Sequence, residues 1–150
     1  IHGIDSSKEM IAICREKAAA AGITNARFEL ADFDDLKVPA GSFDAVLGMS
    51  VLHLMEDPEA AIAKVYAMLR PGGLFISSTT CLENARGTTG LIVRHVLPAV
   101  GALGLLPRLT RLSRAGLRSS LEDAGFGIEH DWLPDEAPSK AVFLVARKPD

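Results

Sequence analysis

Two cysteines in 150 residues, Cys14 and Cys81, are too few and too isolated for a disulfide framework or a zinc site, so a reducing, cytoplasmic setting is expected. Long hydrophobic runs are missing as well. The most apolar stretch, 91–107, is interrupted by Arg94, His95 and Pro98 and falls short of the roughly 20 residues a membrane span needs. No stretch reads as a signal peptide. Positive charge is not in excess either: the formal net charge is −3, which disfavours wholesale nucleic-acid binding. Acid is absent from Asn84 to Leu121, where Arg86, Arg94, Arg108, Arg111, Arg114 and Arg118 accumulate.

What remains is ordinary for one soluble α/β domain: 48% hydrophobic and 23% charged residues, enough to build a core. The chain is organised around 42–55. There a short apolar strand, Ala45 to Met49, ends in a crest carrying Ser50 and His53. Asp57-Pro58-Glu59 then starts a helix, with aspartate as N-cap and proline at the first helical position. Ile62, Val65, Tyr66 and Leu69 mark its core-facing stripe, which assigns Tyr66 to packing. Arg70-Pro71-Gly72-Gly73 turns into a second apolar strand, Leu74 to Ser78. Such a strand–helix–strand unit builds a parallel sheet with helices on its faces, and ligands lie beyond the carboxyl ends of its strands.

The flanks follow the same logic. Residues 1–5 read as the tail of a strand, and Ser6 with Glu9 forms a capping box for a helix buried through Met10, Ile13, Cys14 and Lys17/Ala18. Arg27 to Ala31 alternates like a strand. Residues 79–112 break the rhythm as an inserted apolar-basic segment, fit for a lid over the strand ends or for contact with a lipid surface. Ser113 caps a last helix, and strands at 128–133 and 141–147 finish the domain, 1–150.

Three features carry chemistry. Asp5 ends a strand just before a capped helix, where a carboxylate accepts hydrogen bonds from both hydroxyls of a ribose. Asp32 ends the next strand, placed to accept from an exocyclic amine, and Phe33 beside it can cover a purine ring. Two acids at successive strand ends suit an adenosine better than a phosphate, which prefers glycines and cations. His53 suits a general base, or a ring packed over the strand ends that orients its loop.

Taken in order, Gly3-Ile4-Asp5-Ser6-Ser7-Lys8-Glu9-Met10, Asp32-Phe33, 42–46 with 52–58, Leu69-Arg70-Pro71-Gly72-Gly73 and 113–126 resemble the class I S-adenosylmethionine-dependent methyltransferases, in particular their small-molecule branch. The resemblance implies a Rossmann-like, doubly wound, mostly parallel sheet with a C-terminal antiparallel hairpin. It implies S-adenosyl-L-methionine as cofactor and a small-molecule methyl acceptor. Carried over by position, Asp5 holds the ribose, Ser6 and Met10 lie beside the adenine, Asp32 meets the adenine amine and Phe33 lies near the ring. Met49 and Ser50 line the methionine end. The chain starts at what corresponds to the family's second strand, so its first strand, first helix and glycine-rich loop have no counterpart here, and two unpaired strand edges are expected. Leu54 stands where relatives often carry another histidine.

Two rival readings stand beside this one. A nicotinamide-dependent reductase of the Rossmann type would use Asp5 equally well, but its short-chain branch needs Tyr-x-x-x-Lys, and Tyr66 is followed by Arg70. A non-catalytic domain would use 91–118 to bind a lipid surface or a partner.

Overall fold

The computed structural model describes residues 1–81, 112–133 and 141–150. They form two compact units, 1–38 and 39–150. The first unit holds β1 (His2–Asp5), α1 (Lys8–Ala20) and β2 (Arg27–Leu30). The second holds β3 (Phe43–Met49), a 3-10 turn (Leu52–Leu54), α2 (Pro58–Met68), β4 (Leu69–Thr80), α3 (Arg114–Asp123), β5 (Gly127–Trp132) and β6 (Ala141–Arg147).

In the first unit β1 and β2 pair in parallel, His2 opposite Arg27 through Asp5 opposite Leu30. Gly3 permits the crossing of the Phe28 ring, because a Cβ there would lie 2.8 Å from its Cδ1. The helix start differs by one residue from the capping box expected at Ser6. Asp5 Oδ1 accepts from the Ser7 amide at 2.7 Å, and Ser7 Oγ then accepts from the Met10 amide at 3.2 Å, so Ser7 is the N-cap. The buried stripe of α1 also differs from expectation. Ile11 and Ala18 are buried, with Cys14 half-buried between them, while Met10 and Ile13 face outward. Positions 11, 14 and 18 keep the three-and-four spacing of one face. Arg15 donates to the Phe28 carbonyl at 2.6 Å and ties the helix to β2.

In the second unit the sheet order is β3-β4-β6-β5. β3 and β4 are parallel, and β6 runs antiparallel to both β4 and β5. Three of its four strands therefore point the same way, and β5–β6 is the expected C-terminal hairpin. Asp57 caps α2 through the Ala60 amide at 2.9 Å, as its sequence signals. The Arg70–Gly73 turn expected before the second apolar strand is absorbed into a longer β4. The Gly72 amide donates to the Lys148 carbonyl, and the Lys148 amide donates to the Gly73 carbonyl, so this stretch continues the ladder. Gly72 takes φ 72°, and a Cβ at Gly73 would lie 2.8 Å from the Arg70 carbonyl oxygen.

One face of this sheet is the core: Phe75 of β4 and Val142, Leu144 and Ala146 of β6 are buried with Ile62, Val65, Leu117 and Leu121 of the helices. Tyr66 joins it by an edge-on contact with Phe126, ring centroids 5.0 Å apart, which agrees with the packing role read from its helical stripe. Lys148 closes α2: its Nζ donates to the carbonyls of Tyr66 and Leu69 and lies 4.5 Å above the Tyr66 ring. Most of the inserted segment 79–112 lies outside the described residues.

Candidate functional site

Parallel pairing brings the C-terminal ends of β1 and β2 to the same edge of the first unit. Asp5 is the last residue of β1, and its carbonyl accepts from the Ala31 amide at 3.2 Å, so Asp32 leaves β2 immediately beyond. Both carboxylates are held in the same way. Asp5 Oδ1 accepts from the Ser7 amide at 2.7 Å, and Asp32 Oδ1 accepts from the Asp34 amide at 2.9 Å. Each is an Asx turn, in which the side chain imitates a backbone turn and fixes its own orientation. The second oxygen of each carboxylate has no partner among the described residues. Phe33, next to Asp32, is half-buried; Ser6 and Met10 are exposed on the α1 side of the same edge. Glu9 Oε2 accepts from Ser7 Oγ, and its own backbone amide, then that hydroxyl, hold the carboxyl below its usual range.

This donor set fits an adenosine: vicinal ribose hydroxyls and an exocyclic amine both donate, and two oriented carboxylates accept. Among the described residues no three His, Cys, Asp or Glu side chains gather to hold a metal ion.

The second unit places Met49, Ser50 and His53 together at the C-terminal end of β3. Met49 is the last strand residue and is exposed. Ser50 follows with φ 55°, a left-handed conformation that costs a serine about 1 kcal/mol or more. Its amide donates to the Ser78 carbonyl at 2.7 Å, which pins the reversal to the end of β4. The chain then tightens into the 3-10 turn, Leu54 N–H to the Val51 carbonyl at 2.9 Å, anchored by buried Leu52. Gly48 keeps the strand end close to its support, since a Cβ there would meet the Phe75 ring at 3.1 Å.

That turn makes His53 half-buried with its Nδ1 enclosed, and Nδ1 has no hydrogen-bond partner among the described residues. Burial lowers the pKa of the ring below the ordinary histidine value, which favours the neutral imidazole. Three contributors escaped the sequence reading: Ser7, Gly48 and the Ser78 carbonyl. Ser7 was signalled by the doubled serine. The Ser78 carbonyl had no signal, because which carbonyl a left-handed amide meets depends on strand register.

Parallel strands with carboxylates at their ends fit a nucleoside, and comparison with known proteins bears on the class. Residues 1–73 match the family model of a methyltransferase domain. Over 148 residues the chain is 32% identical to a demethylmenaquinone methyltransferase of Thermus thermophilus, covering 87% of this chain and 65% of that protein. Its fold is similar to that of a putative S-adenosylmethionine-dependent methyltransferase of Listeria monocytogenes, with TM-score 0.75 and 17% identity over 99% of this chain and 79% of the other. It is similar also to the [4+2]-cyclase SpnF, with TM-score 0.74 and 22% identity over 99% of this chain and 66% of that one. Residues 1–73 thus match a methyltransferase domain, and the fold is similar to that of solved S-adenosylmethionine-dependent methyltransferases. The chain spans less than two thirds of the length of the curated relatives it matches.

Proposed function

We propose that this chain serves the transfer of a methyl group from S-adenosyl-L-methionine to a small organic acceptor. The observation that carries the proposal is the pair Asp5 and Asp32: neighbouring parallel strands end in two carboxylates, each held by a local amide with its second oxygen left for a ligand. In this reading Asp5 binds the ribose hydroxyls and Asp32 the adenine amine, with Ser6, Met10 and Phe33 beside the purine. The family resemblance assigns the methionine end to Met49 and Ser50, at the end of β3, and the acceptor to His53. The cofactor, when bound, supplies an electrophilic methyl on a sulfonium that leaves as a neutral thioether. The residues of the chain then have to bind, align and exclude water, which is where most of the rate advantage lies. Support for a small organic acceptor comes from the Thermus relative, named for demethylmenaquinone.

Calorimetric titration with S-adenosylhomocysteine tests the assignment at Asp32. The full-length protein should bind it more tightly than its inosine analogue, which lacks the exocyclic amine, and Asp32→Ala should abolish that preference. Equal binding of the two nucleosides by the unaltered protein would remove the adenine role of Asp32.

A further inference from the structure

The turn that carries His53 fixes more than its position. Of the two ring nitrogens, Nδ1 is enclosed and unpartnered among the described residues, so Nε2 is the one left for a polar partner. A neutral imidazole carries one proton, on one nitrogen or the other. With the proton on Nδ1, a buried N–H donor is orphaned; with it on Nε2, only a lone pair is. Orphaned buried donors are the rarer and costlier of the two. We infer that His53 is the Nε2–H tautomer, and that it serves the methyl transfer proposed above as a hydrogen-bond donor to an anionic oxygen of the acceptor rather than as the base that deprotonates it.

The geometry opposes the base role directly. A base at Nε2 needs its lone pair there, which drives the proton onto Nδ1. After it accepts a proton at Nε2, both nitrogens are donors, and the enclosed one again has nothing to bind. The lowered pKa of the ring, caused by burial, runs the same way. The backbone that carries the ring is fixed: Leu52 before it is buried, and the Val51 and Leu52 carbonyls accept from the amides of Leu54 and Met55.

The substrate class follows from the proton count. With His53 taking no proton, the acceptor that suits its N–H donor is an oxygen already ionised, an acidic hydroxyl or carboxyl. A lone pair of that oxyanion forms the new O–CH3 bond as the sulfonium C–S bond breaks, the C–S electron pair stays on sulfur, and no proton moves. The Nε2–H holds and orients the oxyanion before the transfer. This inference rests on the methyl-transfer reading for its chemistry, but not for the tautomer.

Two measurements separate them. Long-range 1H–15N spectra of the labelled full-length protein at neutral pH should show His53 Nε2 with a protonated-type shift and Nδ1 with an unprotonated one. An Nδ1–H tautomer or an imidazolium would overturn the inference whatever the enzyme methylates. Activity is then compared in two variants, using a panel of phenols and carboxylic acids as acceptors. His53→Gln keeps a side-chain N–H donor but cannot act as a base, and should fall no more than about tenfold; His53→Leu removes the donor and should fall about a hundredfold or more. Equal losses in the two variants, with folding intact, would overturn the donor role. Absence of methyl transfer to every acceptor by the unaltered protein would overturn the substrate class while leaving the tautomer to the spectra.

Discussion

Replacing Asp5 by asparagine separates the ribose-binding role proposed for this residue from its structural one. In the folded chain Oδ1 accepts from the Ser7 amide at 2.7 Å, and that bond sets the Asx turn that makes Ser7 the N-cap of α1. Asparagine retains a carbonyl oxygen for this amide, so the turn and the helix start survive, and stability should change by no more than about 0.5 kcal/mol. What is lost is the charge and the second acceptor, replaced by an NH2 that faces ribose hydroxyls with a donor. A hydrogen bond to a charged group contributes about 1.5–3 kcal/mol, and each 1.4 kcal/mol is tenfold in Kd, so affinity for S-adenosylhomocysteine should fall about tenfold to a hundredfold. Asp5→Ala should lose the affinity and also about 1 kcal/mol of stability, because the Ser7 amide is left without its acceptor. Calorimetry and thermal melts of the two variants decide the matter. Binding by Asp5→Asn equal to the unaltered protein, with an unchanged melt, would refute the ribose assignment.

Other perturbations probe the frame that holds the candidate site. Gly73→Ala forces a Cβ against the backbone carbonyl of Arg70 and should destabilise by about 1–3 kcal/mol, read as a drop in chemical-denaturation midpoint; a neutral effect would show that β4 shifts freely there. Lys148→Met removes the two hydrogen bonds that close α2 and the cation over Tyr66, and should cost about 1–2 kcal/mol in the same assay. His53, whose folded pKa is depressed by burial, gives stability that is fully present above its unfolded pKa of about 6.5 and declines as pH falls through the lower folded value. The melting temperature should therefore drop more steeply below that pH in the unaltered protein than in His53→Gln. Parallel curves would show that the ring is not desolvated in the fold.

Much of the architecture is legible because local chemistry dictates it. Asp57-Pro58 starts α2, Ser113 caps α3 through the Gly116 amide, and β6 occupies the span its apolar alternation marks. The two carboxylates at strand ends are legible for the same reason: each lies where an alternating segment stops. The misses come from interactions between segments distant in sequence. The Arg70–Gly73 stretch reads as a turn, but Lys148, more than seventy residues later, bonds to it and makes it strand. The capping box points to Ser6, with Glu9 three residues on, but the Asp5 carboxylate takes the Ser7 amide and the cap falls on Ser7. The left-handed Ser50 and the orphaned Nδ1 of His53 have no sequence signature, since both depend on what β4 and the turn core bring alongside.

A crystal structure of the full-length protein with S-adenosylhomocysteine bound is the most direct test of the two carboxylates. It should show the ribose hydroxyls donating to Asp5 at about 2.6–2.9 Å and the adenine amine donating to Asp32 at about 2.7–2.9 Å. A nucleoside seated away from the C-terminal ends of β1 and β2, or bound with both carboxylates facing solvent, would contradict the account.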